Sequence, residues 1–265
     1  MTTGVVDWLQ LRQNLLLSTQ RIELYNPSYW DKEATVVNEN MVQWAELTEK
    51  QLKMLPLSSE DRVLDVGAGT GRMTLPMAKR AKQVTALESS QKMLAILREN
   101  AQKQHIHNIG YINESLEQLN VNNSYDWVVA SFSLFMYNIE SALAKMNGLA
   151  SRGVYLFLSA SPWMDIELQK AVNEGLNVWS DFIFIYNILY DNGIPANVEI
   201  WDYQLKQNFA DLESAVSKLS QTYRIPASNT DKLRGYLKTK IVEENGKLFY
   251  NRERKAATIW WTTNQ

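Results

Sequence analysis

The sequence contains no cysteine and only two histidines among its 265 residues. The missing thiols exclude disulfides, thiolate metal ligands and cysteine nucleophiles in this chain. The histidines, His105 and His107, form an H-x-H pair, which can mark a metal site. Because the pair falls at a predicted helix end and has no cysteine partner, we interpret it as a surface pair and expect no metal.

Long hydrophobic runs and an excess of basic charge are also missing. The most apolar stretch, residues 176–190, is interrupted by Ser180, Asp181 and Asn187 and is too short to cross a bilayer. The first ten residues lack a basic start and an apolar core, so we expect no signal peptide, no membrane partner and a cytoplasmic location. The net charge of −2 lacks the basic footprint of phosphate contacts, which argues against a nucleic-acid partner.

Aromatic and apolar residues, by contrast, are plentiful. A hydrophobic fraction of 45% is enough for a substantial core, and nine tryptophans fit either that core or the wall of a ligand pocket. Five of them follow residue 160, and each could belong to the core or to the wall of a pocket that holds the acceptor: Trp163, Trp179, Trp201, Trp260 and Trp261.

Short apolar strands alternate with helical segments between residues 60 and 160. Strands are predicted at residues 62–66, 84–88, 110–112, 125–131 and 154–158. This alternation predicts a parallel sheet covered by helices on both faces.

The flanking segments are less regular. Residues 1–55 have helical spacing, including one helix over 31–54, and helical spacing returns over 165–190. Residues 197–209 alternate as a strand, and the pattern near the end predicts a hairpin that pairs residues 247–250 with 256–263.

A glycine-rich turn follows the first strand, with GAGTG at residues 67–71. Glycine lets the backbone adopt positive φ and approach a ligand closely, and doubly wound sheets bind nucleotides at this turn. The G-x-G-x-G spacing, with Arg72 next, differs from the dinucleotide G-x-G-x-x-G pattern and from a P-loop. The acid Glu88 ends strand two and can accept both hydroxyls of a ribose. The turn therefore predicts a ligand with a ribose and no pyrophosphate.

Three motifs in this order and spacing resemble one family. They are the D-x-G-x-G-x-G loop that begins at Asp65, Glu88 followed by SSQKML at residues 89–94, and YDWVVA at residues 125–130. Over roughly residues 60–160 the chain resembles the class I S-adenosylmethionine-dependent methyltransferases. The resemblance implies a doubly wound, mostly parallel seven-stranded sheet with helices on both faces. It also implies an amino-terminal helical lid over 1–55, a cofactor-binding domain over 56–265 and a helical cap around 163–195.

The resemblance implies cofactor roles at the first strand and the second. Gly67, Ala68 and Gly69 would pass under the methionine part of S-adenosylmethionine. Asp65 would steady this loop and the cofactor's amino group, and Glu88 would bind the ribose hydroxyls. The glycines could instead only let a helix pack on a strand, and Glu88 could be a helix-start acid favoured by the dipole.

Further cofactor contacts are implied after strands two and three. Ser89 and Met93 would lie against the adenine or the ribose. Glu114 would face the adenine amino group, with Ser115 and Leu116 beside the ring. The family often has aspartate at this position, so Glu114 departs from its pattern and could be a surface residue.

The remaining contacts are implied after strand four and in the amino-terminal lid. Ser131 and Phe132 would lie near the methionine moiety and the acceptor, unless they only end the strand. Tyr29 would belong to the lid over the cofactor. The string at residues 26–29, NPSY, is similar to the N-P-P-Y motif of amino-group methyltransferases, but it precedes strand one instead of following strand four. We therefore interpret it as a coincidence.

The function expected from this resemblance is methyl transfer from S-adenosylmethionine to a small-molecule acceptor, with S-adenosylhomocysteine as product. The alternatives are an RNA or protein methyltransferase and a non-catalytic S-adenosylmethionine-binding protein. No catalytic residue is assigned, since Tyr137 and Asp165 are candidate bases by position only. We expect a monomer or a homodimer.

Overall fold

The computed structural model describes residues 6–18, 21–120, 125–162, 164–172 and 180–263. The helices are α1 Trp8–Ser18, α2 Pro27–Glu39, α3 Ala45–Met54, α4 Thr74–Ala78, α5 Gln91–Lys103, α6 Ile139–Leu149, α7 Ile166–Val172, α8 Asp181–Asp191, α9 Leu212–Tyr223 and α10 Thr230–Lys240. The strands are β1 Arg62–Val66, β2 Gln83–Leu87, β3 Ile109–Ile112, β4 Tyr125–Ser131, β5 Ala150–Ser159, β6 Asn197–Phe209, β7 Ile241–Glu244 and β8 Lys247–Thr262. None of the helices in these ranges is long and apolar enough to cross a membrane.

The strands form one open sheet in the order β3-β2-β1-β4-β5-β8-β6, with β7 paired to β8. The pairs among β1 to β5 are all parallel, whereas β7 and β8 are antiparallel. The strand order reverses between β1 and β4, and ligands bind beyond the carboxyl ends of the strands at such a point. The predicted doubly wound, mostly parallel sheet is confirmed, but the described residues form eight strands and not seven.

Helices cover both faces of the sheet because β1 is apolar on both sides. Val63 and Leu64 are fully buried, and successive side chains of a strand point to opposite faces. Leu64 packs in a core that includes Met146 of α6 and Ile185 of α8. Val63 packs in a second core that includes Met77 of α4.

The carboxyl-terminal hairpin differs from its prediction. Residues 247–250 and most of 256–263 belong to one strand, β8, so they do not pair with each other. The hairpin instead joins β7 to β8 through Asn245 and Gly246, which both have positive φ, at 53° and 72°. Asn-Gly is the strongest sequence signal for such a two-residue turn.

The predicted helix over residues 31–54 is also interrupted. α2 ends at Glu39, a 3₁₀ turn spans Asn40–Trp44, and α3 then begins at Ala45. The start of α2 explains the NPSY string, because the Asn26 side chain caps the helix by accepting from the Ser28 N–H at 3.0 Å and Pro27 occupies the first helical turn.

Contacts divide the chain into two compact units. The first comprises Met1–Leu158, Asp181–Glu199 and Ala257–Gln265, and the second comprises Ser159–Ser180 and Ile200–Ala256. The segment 1–55 thus belongs to the first unit, while the segment 163–195 is divided between the two. The second unit has its own apolar core, which includes Leu168, Leu219 and Leu233. The lid and the cap remain predictions.

Candidate functional site

Hydrogen bonds hold the glycine loop after β1 against its neighbouring strands. The N–H groups of Gly67 and Ala68 donate to the Leu87 carbonyl at the end of β2, at 2.8 and 3.1 Å. Ser133, which follows β4, donates its hydroxyl to the Val66 carbonyl at 2.5 Å. The loop is therefore fixed at the carboxyl edge of the sheet, where the strand order reverses.

The glycines in this loop have different surroundings. Gly69 has φ +57°, and a Cβ placed on it would meet only Met93 Sδ, at 3.8 Å. Gly71 has φ +103°, and its Cβ would lie 2.2 Å from Leu97 Cδ1 of α5. The packing explanation thus applies to Gly71, while Gly69 leaves open backbone that a ligand can approach.

Glu88 lies directly after β2 and is buried, with 7% of its surface exposed. Its carboxylate accepts from the N–H of Gly69 through Oε2 and of Ser90 through Oε1, both at 2.8 Å. Burial raises the pKa of Glu88, the backbone donors oppose this rise, and the nearby Asp31 adds to it. A carboxylate has about four acceptor positions, and the backbone donors, which include Gly69, Ser89 and Ser90, do not fill all of them.

Asp65, in β1, lies beneath the glycine loop and is 2% exposed. Its Oδ2 accepts from the Thr74 hydroxyl at 2.6 Å. Burial raises the pKa of Asp65 to about 6, while the hydrogen bond from Thr74 and the charge of Arg72 act in the opposite direction. This carboxyl group therefore titrates close to neutral pH.

The residues expected around the adenine lie in different environments. Ser90 caps α5 by accepting from the Met93 N–H at 3.1 Å, the buried Met93 lies next to Gly69, and Ser89 is half-buried. After β3, Leu116 is buried in the core of the first unit, Ser115 is half-buried, and Glu114 is exposed. Their contacts with a cofactor remain predictions.

Polar side chains meet at the carboxyl end of β4. Ser131, the last residue of β4, accepts from Arg72 Nη2 at 2.6 Å. Arg72 also donates through Nη1 to Thr48 and to Gln51 of α3, each at 2.8 Å. Phe132 follows with φ 54°, a rare conformation for a large residue, and its ring centroid lies 5.7 Å from the Arg72 guanidinium carbon.

Aromatic side chains from the amino-terminal helices face the loop after β4. Trp30 of α2 stacks on Phe135, with ring centroids 5.5 Å apart, and Tyr29 packs edge-on against Trp30 at 5.1 Å. The ring centroid of Trp44 lies 6.1 Å from that of Phe132. The five rings form two groups on the residues that follow β4, one around Phe135 and one around Phe132, and together we call them the aromatic wall.

α2 is also joined to the acid after β2. Asp31 accepts from the Ser90 hydroxyl at 2.6 Å and from the Lys92 N–H at 3.1 Å, at the amino terminus of α5. Since Ser90 also donates its N–H to Glu88, α2 is two hydrogen bonds away from that carboxylate.

The other candidates from the sequence are placed as follows. Trp201 and Trp261 are buried, and Trp260 stacks on Tyr155 with ring centroids 6.1 Å apart, so these three serve packing. Trp163 and Trp179 lie outside the described residues. Asp165 pairs with Arg254 at 2.8 Å inside the second unit. Within the described ranges, no cluster of His, Asp or Glu side chains is arranged to hold a metal ion.

Sequence reasoning missed Arg72, Gln51 and Asp31 as site residues. Gln51 and Ser131 are 80 positions apart, and Asp31 and Ser90 are 59 apart. No local pattern marks such pairs. The only signal was the position of Arg72, directly after the last glycine of the loop.

Comparison with known proteins identifies a methyltransferase domain around this site. Residues 63–153 match the family model of a methyltransferase domain. An uncharacterized protein of Haemophilus influenzae is 26% identical over 280 residues, which cover both chains completely. A 23S rRNA (uracil(1939)-C(5))-methyltransferase of Salmonella typhi is 39% identical over 82 residues, which are 31% of this chain and only 19% of that enzyme.

A solved structure supports the fold. The YcgJ protein of Bacillus subtilis superimposes with a TM-score of 0.57 and 16% identity, over 82% of this chain and 98% of that one. The stretch matched by the family model contains the loop after β1 and the acid after β2, and its description favours an enzyme over a protein that only binds the cofactor. Residues 63–153 thus form a methyltransferase domain of the S-adenosylmethionine-dependent type.

Proposed function

We propose that this enzyme transfers the methyl group of S-adenosylmethionine to a small-molecule acceptor. The observation that carries the proposal is the aromatic wall beside the end of β4, formed by Tyr29, Trp30, Trp44, Phe132 and Phe135. Pockets for small ligands are lined mainly by apolar and aromatic side chains, with a few polar groups that fix orientation. Arg72 and Ser131 supply such polar groups next to the wall.

The cofactor fits the residues at the carboxyl edge of the sheet. We assign the ribose hydroxyls to the remaining acceptor positions of Glu88, and the methionine part to the loop of Gly67, Ala68 and Gly69, where the backbone at Gly69 is open. Asp65 holds the start of this loop from below and, when ionised, favours the cofactor's amino group. The methionine end then points toward Ser131 and Phe132.

The adenine side is assigned to the residues after β2 and β3. Ser89 and Met93 are proposed to line one side of the ring, and Ser115 and Leu116 the other. Glu114 is proposed to face the adenine amino group, for which its exposed carboxylate would have to turn inward. Tyr29 is proposed to close the site from α2.

When bound, S-adenosylmethionine supplies an electrophilic methyl group on a sulfonium. The contribution of this chain is to hold the acceptor in line with that methyl group and to exclude water. Aromatic faces suit both tasks, and they also favour the positive sulfonium through cation–π attraction.

Methylation of RNA is the second candidate, because the Salmonella typhi relative is an rRNA methyltransferase. The similarity covers 31% of this chain, and the net charge of −2 does not favour a polyanion. We therefore rank it below the small-molecule acceptor.

The test is transfer of tritiated methyl groups from S-adenosylmethionine to fractionated cell extract. We expect label in the fraction of small metabolites and none in RNA or protein. The Glu88→Ala variant, which lacks the ribose acid, is the control for non-enzymatic labelling. Label confined to the RNA fraction would refute the small-molecule proposal and favour the second candidate.

A further inference from the structure

A compact group of polar side chains lies between α3 and the end of β4. Arg72 donates to Thr48, to Gln51 Oε1 and to Ser131 Oγ at 2.6–2.8 Å. Ser131 in turn donates its hydroxyl to Gln51 Oε1 at 3.3 Å. The guanidinium, the amide and the hydroxyl are therefore held in one fixed arrangement by residues from three separate segments.

One donor in this group lacks a partner. Gln51 is fully buried at 0% exposure, and its Nε2 has no hydrogen-bond partner among the described residues. Since Gln51 Oε1 accepts from both Arg72 and Ser131, the amide orientation is defined and Nε2 must carry the donors. A buried donor without an acceptor costs free energy, so this site is suited to an acceptor that the described residues do not supply.

The position of the group indicates which ligand would supply that acceptor. Arg72 directly follows the glycine loop, and Ser131 ends β4 on the other side of the point where the strand order reverses. With the cofactor placed as proposed above, its aminoacyl end reaches this point. An arginine beside an amide N–H donor matches the planar, negatively charged carboxylate, which accepts strong charge-assisted hydrogen bonds.

We propose that Arg72, Gln51 and Ser131 form a carboxylate-binding subsite of this methyltransferase. Two carboxylates can reach it, that of the cofactor's methionine moiety and that of an acidic acceptor. The inference rests on the proposed cofactor position, and it adds residues from α3 to the binding site.

The experiment measures binding of two ligands by calorimetry. One is S-adenosylhomocysteine, and the other is S-adenosyl-3-thiopropylamine, which is the same molecule without its carboxylate. The variants are Arg72→Gln, which removes the charge, Arg72→Lys, which keeps it, and Gln51→Glu, which keeps the shape but removes the amide donors. Arg62→Gln, the same change at an exposed position at the amino end of β1, is the matched control.

For the cofactor's carboxylate, we expect Arg72→Gln and Gln51→Glu to weaken S-adenosylhomocysteine binding at least tenfold. Binding of S-adenosyl-3-thiopropylamine should stay within about twofold of wild type, Arg72→Lys should be intermediate, and Arg62→Gln should have no effect. If wild type binds both ligands equally, the protein saturated with S-adenosylhomocysteine is titrated with benzoate. Saturable benzoate binding that Arg72→Gln abolishes assigns the subsite to the acceptor's carboxylate.

Other outcomes overturn the inference. Equal weakening of both ligands by Arg72→Gln and Gln51→Glu would show a purely structural role, as would equal binding of both ligands together with no benzoate binding. Thermal unfolding of each variant separates loss of the subsite from loss of the fold. Wild type that is folded but binds neither ligand would overturn the cofactor position and the inference together, which is a distinct result.

Discussion

Replacing Glu88 by glutamine leaves the volume of the side chain almost unchanged, yet we expect it to weaken S-adenosylhomocysteine binding about as much as truncation to alanine. In the structure both carboxylate oxygens accept from backbone N–H groups, those of Gly69 and Ser90. An amide has a single oxygen, so its NH₂ group would face one of these donors. The substitution therefore disturbs the glycine loop or the start of α5, in addition to removing an acceptor from the ribose.

The expected rise in the Kd for S-adenosylhomocysteine follows from the hydrogen bonds that are lost. A hydrogen bond to a charged group contributes about 1.5–3 kcal/mol, and about 1.4 kcal/mol corresponds to a tenfold change in Kd. Loss of one ribose bond alone predicts a Kd that rises roughly ten- to a hundredfold. For Glu88→Ala both ribose bonds are lost, but water can enter to pair with the Gly69 and Ser90 N–H groups, which limits the further loss.

Calorimetric titration of wild type, Glu88→Gln and Glu88→Ala with S-adenosylhomocysteine measures this effect. Glu99→Gln is the control, because Glu99 is an exposed acid on α5 that pairs with Lys103 at 3.9 Å. Glu88→Gln that bound within twofold of wild type, while Glu88→Ala bound poorly, would refute the argument that both oxygens are needed as acceptors.

Two stability predictions concern Asp65 and Gly71. Because burial raises the pKa of Asp65 to about 6, the folded chain holds its proton more tightly than the unfolded chain, and the stability gained below pH 4 is lost as the pH rises through about 6. Linkage predicts that this group lowers the free energy of unfolding by about 1.4 kcal/mol between pH 5 and pH 7. Urea unfolding should show this difference in wild type and not in Asp65→Asn. The same pH dependence in both proteins would contradict the raised pKa of Asp65. Gly71→Ala should lower the free energy of unfolding by about 2–4 kcal/mol, because its Cβ would lie 2.2 Å from Leu97 Cδ1 at a positive φ, whereas Gly148→Ala, with nothing within 4 Å, should not destabilise the chain.

The sheet and its ligand loop could be predicted because their signals are local. Residues 62–66 and the glycines that follow them encode a strand and a turn within ten positions. Asn245-Gly246 is also a local signal for a hairpin. The prediction missed it because the charged stretch in the middle of residues 247–263 was interpreted as the turn between two strands. That stretch lies within β8, where tertiary contacts maintain the strand.

The polar part of the site could not be predicted, because it depends on packing between distant segments. Gln51 has the sequence pattern of an ordinary position on a helix face, and only the fold brings its amide to Ser131. The same holds for Trp30 and Phe135, whose stacking depends on how α2 lies against the loop after β4. Helical periodicity predicts which face is apolar, but it does not predict which surface that face meets.

The family match begins at residue 63, yet α2 and α3 end before it and still contribute the amide of Gln51 and the indole of Trp30 to the site. The residues proposed for the cofactor thus lie mostly inside the matched domain, while part of the proposed acceptor side lies before it. Substitutions in residues 27–54 can change the proposed acceptor side while the glycine loop and Glu88 stay unchanged. Two enzymes with the same cofactor domain can thus diverge in acceptor preference through a segment that comparison of the domain alone would leave out.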